Sequence, residues 1–163
     1  TEKGSVVGGS IRVRKGIETQ NLGSSSGAHT QVSFGQDYLV ADQIEREEKE
    51  IDKLKRRVTT IDLSLQKVSD SSPKEEVEGL RKEKKKLLKI MEERSLRLFN
   101  LREKFEEHFP SEILVKGTLF PGVVVESHGR TKEYSEPKKS VRIYFDRDTG
   151  RIMEEPLSAD DEE

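Results

Sequence analysis

The chain has 163 residues, of which 38% are charged and only 31% are hydrophobic, and this composition predicts an elongated structure because proteins with one compact core usually have nearly half apolar residues. The net charge of -2 gives no overall attraction to nucleic acid or a membrane surface, and no apolar run approaches the roughly 20 residues of a membrane-spanning helix. The absence of cysteine excludes disulfides, cysteine-ligated zinc and cysteine catalysis.

Residues 1–36 alternate between apolar and polar side chains in short stretches separated by glycines, a pattern typical of short β-strands and turns. Ile11 and Val32 are 21 residues apart, and so are Val13 and Phe34. Equal spacings of short strands are typical of a β-solenoid, in which each coil packs its inward side chains on the next coil. We therefore predict the first solenoid coils here. The alternative is an ordinary meander of short hairpins.

Residues 37–109 contain two long helical segments joined by a short link at residues 69–73. In each segment apolar residues recur at three- and four-residue steps, which produces one narrow apolar stripe interrupted by Glu47, Lys84 and Arg94. The stripes consist of Ile44, Ile51, Leu54, Val58, Ile61, Leu65 and Val68, and of Val77, Leu80, Leu87, Met91, Leu98, Leu101 and Phe105. We predict a long antiparallel coiled-coil hairpin with imperfect packing. The same stripes could pair between two chains, which leaves a homo-oligomer open.

Residues 110–157 return to short apolar alternations, and we predict the second part of the solenoid there. Val123 and Val141 are 18 residues apart, as are Val125 and Ile143, which again suggests successive coils. An antiparallel helical pair returns the chain to the place where it left, so both solenoid parts can belong to one stack.

Four smaller features are also predicted from this segment and its neighbours. The segment Asp146 to Gly150 predicts a hairpin loop between the last two strands, and residues 127–139 predict a polar, mobile connection. Residues 158–163 form an acidic tail. We expect three phenylalanines near the end of the second helix, Phe99, Phe105 and Phe109, to be part of a core.

One charge cluster stands out on the predicted hairpin, and we call it the basic collar. Its members are Lys53, Lys55, Arg56, Arg57, Arg81, Lys82, Lys84, Lys85, Lys86 and Lys89. Folding about residue 71 places Arg56 opposite Lys86, which predicts like charges facing each other instead of ion pairs between the helices. The functional hypothesis is a binding surface for an acidic protein or a nucleic acid. The alternative is a merely solvated helix flank.

The remaining residues indicate no catalytic, metal or cofactor site. His29, His108 and His128 are scattered without metal-ligand spacing, and His108 falls on the predicted helical stripe as a partly buried structural residue. No glutamate lies in an apolar stretch that would suit acid-base catalysis. A β-helix acyltransferase is a remote alternative, because the coils are irregular. Nucleic-acid binding lacks the aromatic residues that stack on bases.

The glycine-rich segments and a later Phe-Pro-Gly-Val element carry a family resemblance. The segment from Gly4 to Ile11, with Thr30 to Gly35 after it, resembles the FapA family, named for flagellar assembly protein A. The likeness resumes at residues 116–123, Lys-Gly-Thr-Leu-Phe-Pro-Gly-Val, after the charged helical pair.

This resemblance to bacterial polymer-forming proteins implies a right-handed β-helix interrupted by a coiled coil. It also implies a non-enzymatic scaffold that helps to assemble or position flagella. The expected partners are proteins, among them flagellar assembly or polar-positioning factors, and the expected location is the cytoplasm.

Overall fold

A computed structural model describes residues 4–158 of the chain as two compact units. The first unit contains the described residues up to Tyr38 and from Glu106 onward, and the second contains Leu39–Phe105. Residues 159–163, which are most of the predicted acidic tail, lie outside the described part.

Among the described residues the first unit, which we call the β-unit, is built from ten short strands in two sheets. The strands are β1 (Ser5–Val6), β2 (Gly9–Val13), β3 (Gly16–Thr19), β4 (Asn21–Leu22), β5 (Thr30–Phe34), β6 (Glu112–Leu119), β7 (Val123–Ser127), β8 (Arg130–Tyr134), β9 (Lys138–Asp146) and β10 (Arg151–Pro156). One sheet has the order β1-β4-β6-β9-β10 with β3 also paired to β6, and the other has the order β2-β5-β7-β8.

Strands β1 to β7 form parallel stacks of the kind that successive solenoid coils make. Ile11 of β2 pairs with Val32 of β5, and Val32 pairs in turn with Val125 of β7. The predicted repeat of 21 residues is therefore confirmed, because Val13 also lies beside Phe34. Strand β3 pairs in parallel with β6, although the whole helical insertion separates them in sequence.

Strands β8 to β10 fold back as antiparallel hairpins, so the prediction of a further coil with an 18-residue repeat is wrong. Val123 pairs with Tyr134, and Val141 pairs with Val115, in both cases antiparallel. The prediction of a polar, mobile connection at residues 127–139 is also wrong, because strand β8 lies within it. Equal spacing of apolar residues reports inward-facing positions, and it does not determine strand direction.

The core of this unit lies between the two sheets. Phe34, Leu22 and Ile113 are fully buried in it. The chain leaves at Gly35 and returns at Phe109, and the Phe109 amide donates a hydrogen bond of 3.1 Å to the Gly35 carbonyl. This contact agrees with the expectation that the helical insertion brings its two ends together.

The predicted loop between the last two strands is confirmed. Arg151 pairs with Asp146, and the Gly150 amide donates to the Asp146 carbonyl at 2.8 Å. The Asp146 carboxylate accepts hydrogen bonds from Thr149 Oγ1 and from the Asp148 amide. Hydrogen bonding to Thr149, then to the Asp148 amide, lowers the pKa of Asp146.

The second unit consists of helices α1 (Tyr38–Gln66, whose first residue belongs to the first unit) and α2 (Lys74–Phe105). Five ion pairs join them: Arg57–Glu83, Lys84–Asp62, Arg94–Glu47, Arg97–Glu47 and Arg102–Glu48. The polar residues that interrupt the apolar stripes are thus matched across the helices. Glu47 is only 7% exposed and lies 2.8 Å from Arg94.

Within residues 4–158, neither helix is long and apolar enough to cross a membrane.

Phe99 of α2 corrects one prediction about the aromatic residues. Its side chain is 56% exposed, so it is not part of a core. The reason lies in helix geometry: residues 98 and 101 belong to the inner stripe, and residue 99 is rotated by about 100° from residue 98.

Candidate partner-binding surface

The ten residues of the basic collar all lie on the two helices, four on α1 and six on α2. Helices present these side chains because lysine and arginine have good helix propensity and long flexible stems that reach solvent. Neighbouring carboxylates neutralise some of these ten cations and leave the others available to a partner.

Four collar residues form ion pairs. Lys53 binds Glu50 at 2.6 Å and Lys55 lies 4.0 Å from Asp52, both within α1. Arg57 binds Glu83 at 2.8 Å across the helices, and Lys84 binds Asp62 at 2.5 Å, also across them. The prediction that the collar would lack cross-helix ion pairs is therefore wrong for Arg57 and Lys84. Folding the sequence about residue 71 predicts only approximately which residues of the two helices face each other. A shift of about one helical turn between the helices brings a carboxylate close to each of these two cations.

The other six collar residues have no ion-pair partner within residues 4–158. They are Arg56, Arg81, Lys82, Lys85, Lys86 and Lys89. Lys82 and Lys86 each border two open surface grooves, one of which also includes Leu88 and the other Leu87. Arg56 borders a third groove on α1. The surface combines unneutralised cations with small apolar areas.

Such a surface suits carboxylates or phosphates, because ammonium groups donate up to three hydrogen bonds each and guanidinium groups match planar acids. Within the described residues no group of three or more histidine, aspartate or glutamate side chains is placed to hold a metal ion. The collar supplies positive charge and hydrogen-bond donors.

A second cluster, missed by sequence reasoning, lies in the β-unit and joins two histidines. The rings of His108 and His128 have centroids 5.2 Å apart, and His128 stacks on Phe145 at 4.3 Å. His108 lies beyond the end of α2, so its predicted place on the helical stripe is wrong. The two residues are 20 positions apart in sequence, and His128 lies in the turn after β7 with a φ of 51°.

The surroundings of these two rings favour their neutral forms. His108 Nδ1 and His128 Nε2 are buried without a hydrogen-bond partner, while His128 Nδ1 lies 2.9 Å from Ser127 Oγ. Burial lowers the pKa of His108, with a further contribution from Arg147. Burial is also the main cause that lowers the pKa of His128, and the charge of the neighbouring His108 lowers it further. Glu106 raises this pKa, whereas Arg147 lowers it.

We expect the β-unit to lose stability as the pH falls below about 6.5, the ordinary histidine pKa. Both folded-state pKa values lie below the unfolded ones, so the unfolded chain binds more protons in this range and stability decreases with decreasing pH. Urea unfolding at pH 7.5 and 5.5, followed by tyrosine fluorescence, measures the change. Replacing both His108 and His128 with glutamine should reduce it, whereas replacing the exposed His29 should not. An equal pH dependence in all three proteins would contradict the assignment.

The chain was compared with curated proteins, with solved structures and with models of protein families. A search among curated proteins and one among solved structures found no significant match. A family model described as the Flagellar Assembly Protein A beta solenoid domain matches residues 1–152. This match spans both parts of the β-unit and the whole helical insertion, and it agrees with the parallel stacking of β1 to β7. The chain therefore belongs to the FapA family of β-solenoid proteins.

Proposed function

We propose that the protein is a non-enzymatic scaffold that assists the assembly or positioning of bacterial flagella through contacts with other proteins. The family membership supports a role in flagellar assembly. The proposed location is the cytoplasm. In this proposal the β-solenoid, wound as a right-handed β-helix, is the framework and the helical insertion carries the binding surface.

The helical insertion acts in this proposal as an antiparallel coiled-coil hairpin. The order of the ion pairs supports this arrangement: Glu47 near the start of α1 pairs with Arg94, and Asp62 near its end pairs with Lys84. The ion-pair residue further along α1 thus contacts a residue earlier in α2. The nearly buried Glu47, held by both Arg94 and Arg97, favours one register over others because a shift would leave its charge unpaired.

The basic collar is the proposed partner-binding surface. The observation that carries this proposal is that six of its ten members lack ion-pair partners in the described chain, and that Lys82 and Lys86 border two grooves. Unpaired cations can bind an acidic partner directly, whereas ion-paired cations would first have to separate from their carboxylates. An acidic protein surface is favoured over nucleic acid, since no aromatic residue lies among the collar cations for base stacking.

Reversing three unpaired collar charges tests the surface. The triple variant Arg56→Glu, Lys82→Glu and Lys86→Glu should weaken a collar-dependent protein partner about a hundredfold, because each substitution replaces attraction with repulsion. The measurement is quantitative mass spectrometry of proteins captured from a flagellated bacterium by the wild-type and variant chains. Titration of the captured partner then gives the two Kd values.

The matched control reverses three exposed cations of the β-unit, Arg130, Lys139 and Arg151, and changes the net charge equally. Partners lost by the collar variant and kept by the control support the proposal. Identical captured proteins for the collar variant and the wild type would exclude the collar as the binding surface. Capture of nucleic acid in place of protein, with affinity falling steeply as salt increases, would favour the alternative ligand.

A further inference from the structure

Helix α2 has a second stripe of regularly spaced residues on its solvent side, which we call the outer stripe. It consists of Lys85, Leu88, Glu92, Leu96, Phe99 and Glu103, all exposed and separated by three- and four-residue steps. Leu88 is 46% exposed, Leu96 63% and Phe99 56%. Large apolar side chains aligned in this way on a solvent-facing helix surface are typical of an interaction site.

The outer stripe is distinct from the face of α2 that is turned towards α1. On that inner face Leu87 is buried, and Met91, Leu98 and Leu101 are half-buried. The two stripes are offset around the helix, since Leu88, Glu92 and Phe99 each follow an inner residue by one position, a rotation of about 100°. A helix with two such stripes is built to pack against two neighbours, and α1 satisfies only one of them.

The sequence of the outer stripe is complementary to itself when read in reverse. If a second α2 lies antiparallel to the first, Leu88 of one helix faces Phe99 of the other. The same register brings Lys85, one turn before Leu88, to within one residue (about 1.5 Å along the helix axis) of the level of Glu103, one turn after Phe99. Glu92 then faces Leu96, the one polar-apolar contact of the register. A two-fold axis repeats each of these contacts, as a symmetric dimer requires.

The charges that this register brings together are free to pair. Neither Lys85 nor Glu103 has an ion-pair partner among residues 4–158, although the neighbouring Arg102 binds Glu48 of α1 at 2.6 Å. We propose that the outer stripe is a homodimerisation surface, on which α2 of a second copy of this chain packs antiparallel with Leu88 against Phe99 and Lys85 against Glu103. Lys85 also belongs to the collar, but this inference stands independently of partner binding there, because the collar test leaves all six outer-stripe residues unchanged.

Charge reversal tests this register directly in the full 163-residue chain. We expect analytical ultracentrifugation to show a dimer for the wild type. Lys85→Glu alone and Glu103→Lys alone should each raise the dimer Kd about tenfold or more, because two attractions become two repulsions. An equimolar mixture of the two variants should form a heterodimer, and the double variant should dimerise again, since in both cases opposite charges face each other once more.

Two further variants test whether the dimer depends on the apolar part of the outer stripe. Phe99→Ser should weaken the dimer more than either charge reversal, whereas Lys104→Glu, beside the stripe, should leave it unchanged; circular dichroism checks that each variant remains helical. A wild-type chain that stays monomeric at high micromolar concentration would overturn the proposal. A dimer that tolerates both single reversals, or a mixture that fails to restore dimerisation, would overturn it as well.

Discussion

Replacing Phe34 with alanine should destabilise the β-unit by about 3 to 5 kcal/mol, the usual cost of removing a buried phenylalanine side chain from a core. Phe34 is 0% exposed and has the largest side chain among the fully buried residues. It lies at the end of β5, which is paired on both sides by β2 and β7. The cavity would therefore weaken packing in three stacked strands, and the loss approaches the whole stability of a typical domain.

Tyrosine fluorescence provides a specific probe for this experiment, because all three tyrosines belong to the β-unit. Urea unfolding followed by this signal gives the free energy of unfolding of the β-unit, and circular dichroism follows the helices separately. Val7, which is 54% exposed, provides the control: Val7→Ala should change stability by less than about 0.5 kcal/mol. A loss below about 1 kcal/mol for Phe34→Ala would contradict the core described above.

Gly16→Ala should destabilise the same unit by about 3 kcal/mol or more, for two additive reasons. The φ of Gly16 is +106°, a conformation that disfavours any side chain. A Cβ there would also lie 2.2 Å from the Glu112 carbonyl oxygen. This oxygen belongs to the backbone of β6, which pairs with β3 at that point, so it cannot move aside without breaking the parallel pairing.

Substitutions at two other glycines, measured by the same urea unfolding, separate the contribution of backbone strain from that of the Cβ clash. Gly129 has a φ of +70° but open space around it, so Gly129→Ala should cost only about 1 kcal/mol of backbone strain. Gly79 lies within α2 with nothing near its Cβ position, and Gly79→Ala should stabilise the helix by about 0.5 to 1 kcal/mol. Equal effects at Gly16 and Gly129 would show that β3 and β6 are not in close contact.

The residue pattern was sufficient for both helices and for most strands, although not for β8, and for part of their assembly. Alternation at period two marked the strands, and three- and four-residue steps marked both helices, because each periodicity reflects which side of an element faces a core. The 21-residue spacing also predicted the pairing of Ile11 with Val32, since parallel coils stack equivalent residues directly on one another. The glycine-rich order of segments led to the correct family.

Features that depend on the meeting of distant residues required the tertiary structure. The direction of β8 to β10, the contact between His108 and His128, and the exposure of Phe99 all depend on how separate segments fold together. The same holds for the collar, where the sequence identified the cations but not which of them Glu83 and Asp62 neutralise. Ion pairing requires two side chains to come within about 4 Å, and an uncertainty of one helical turn, about 5.4 Å, exceeds that distance.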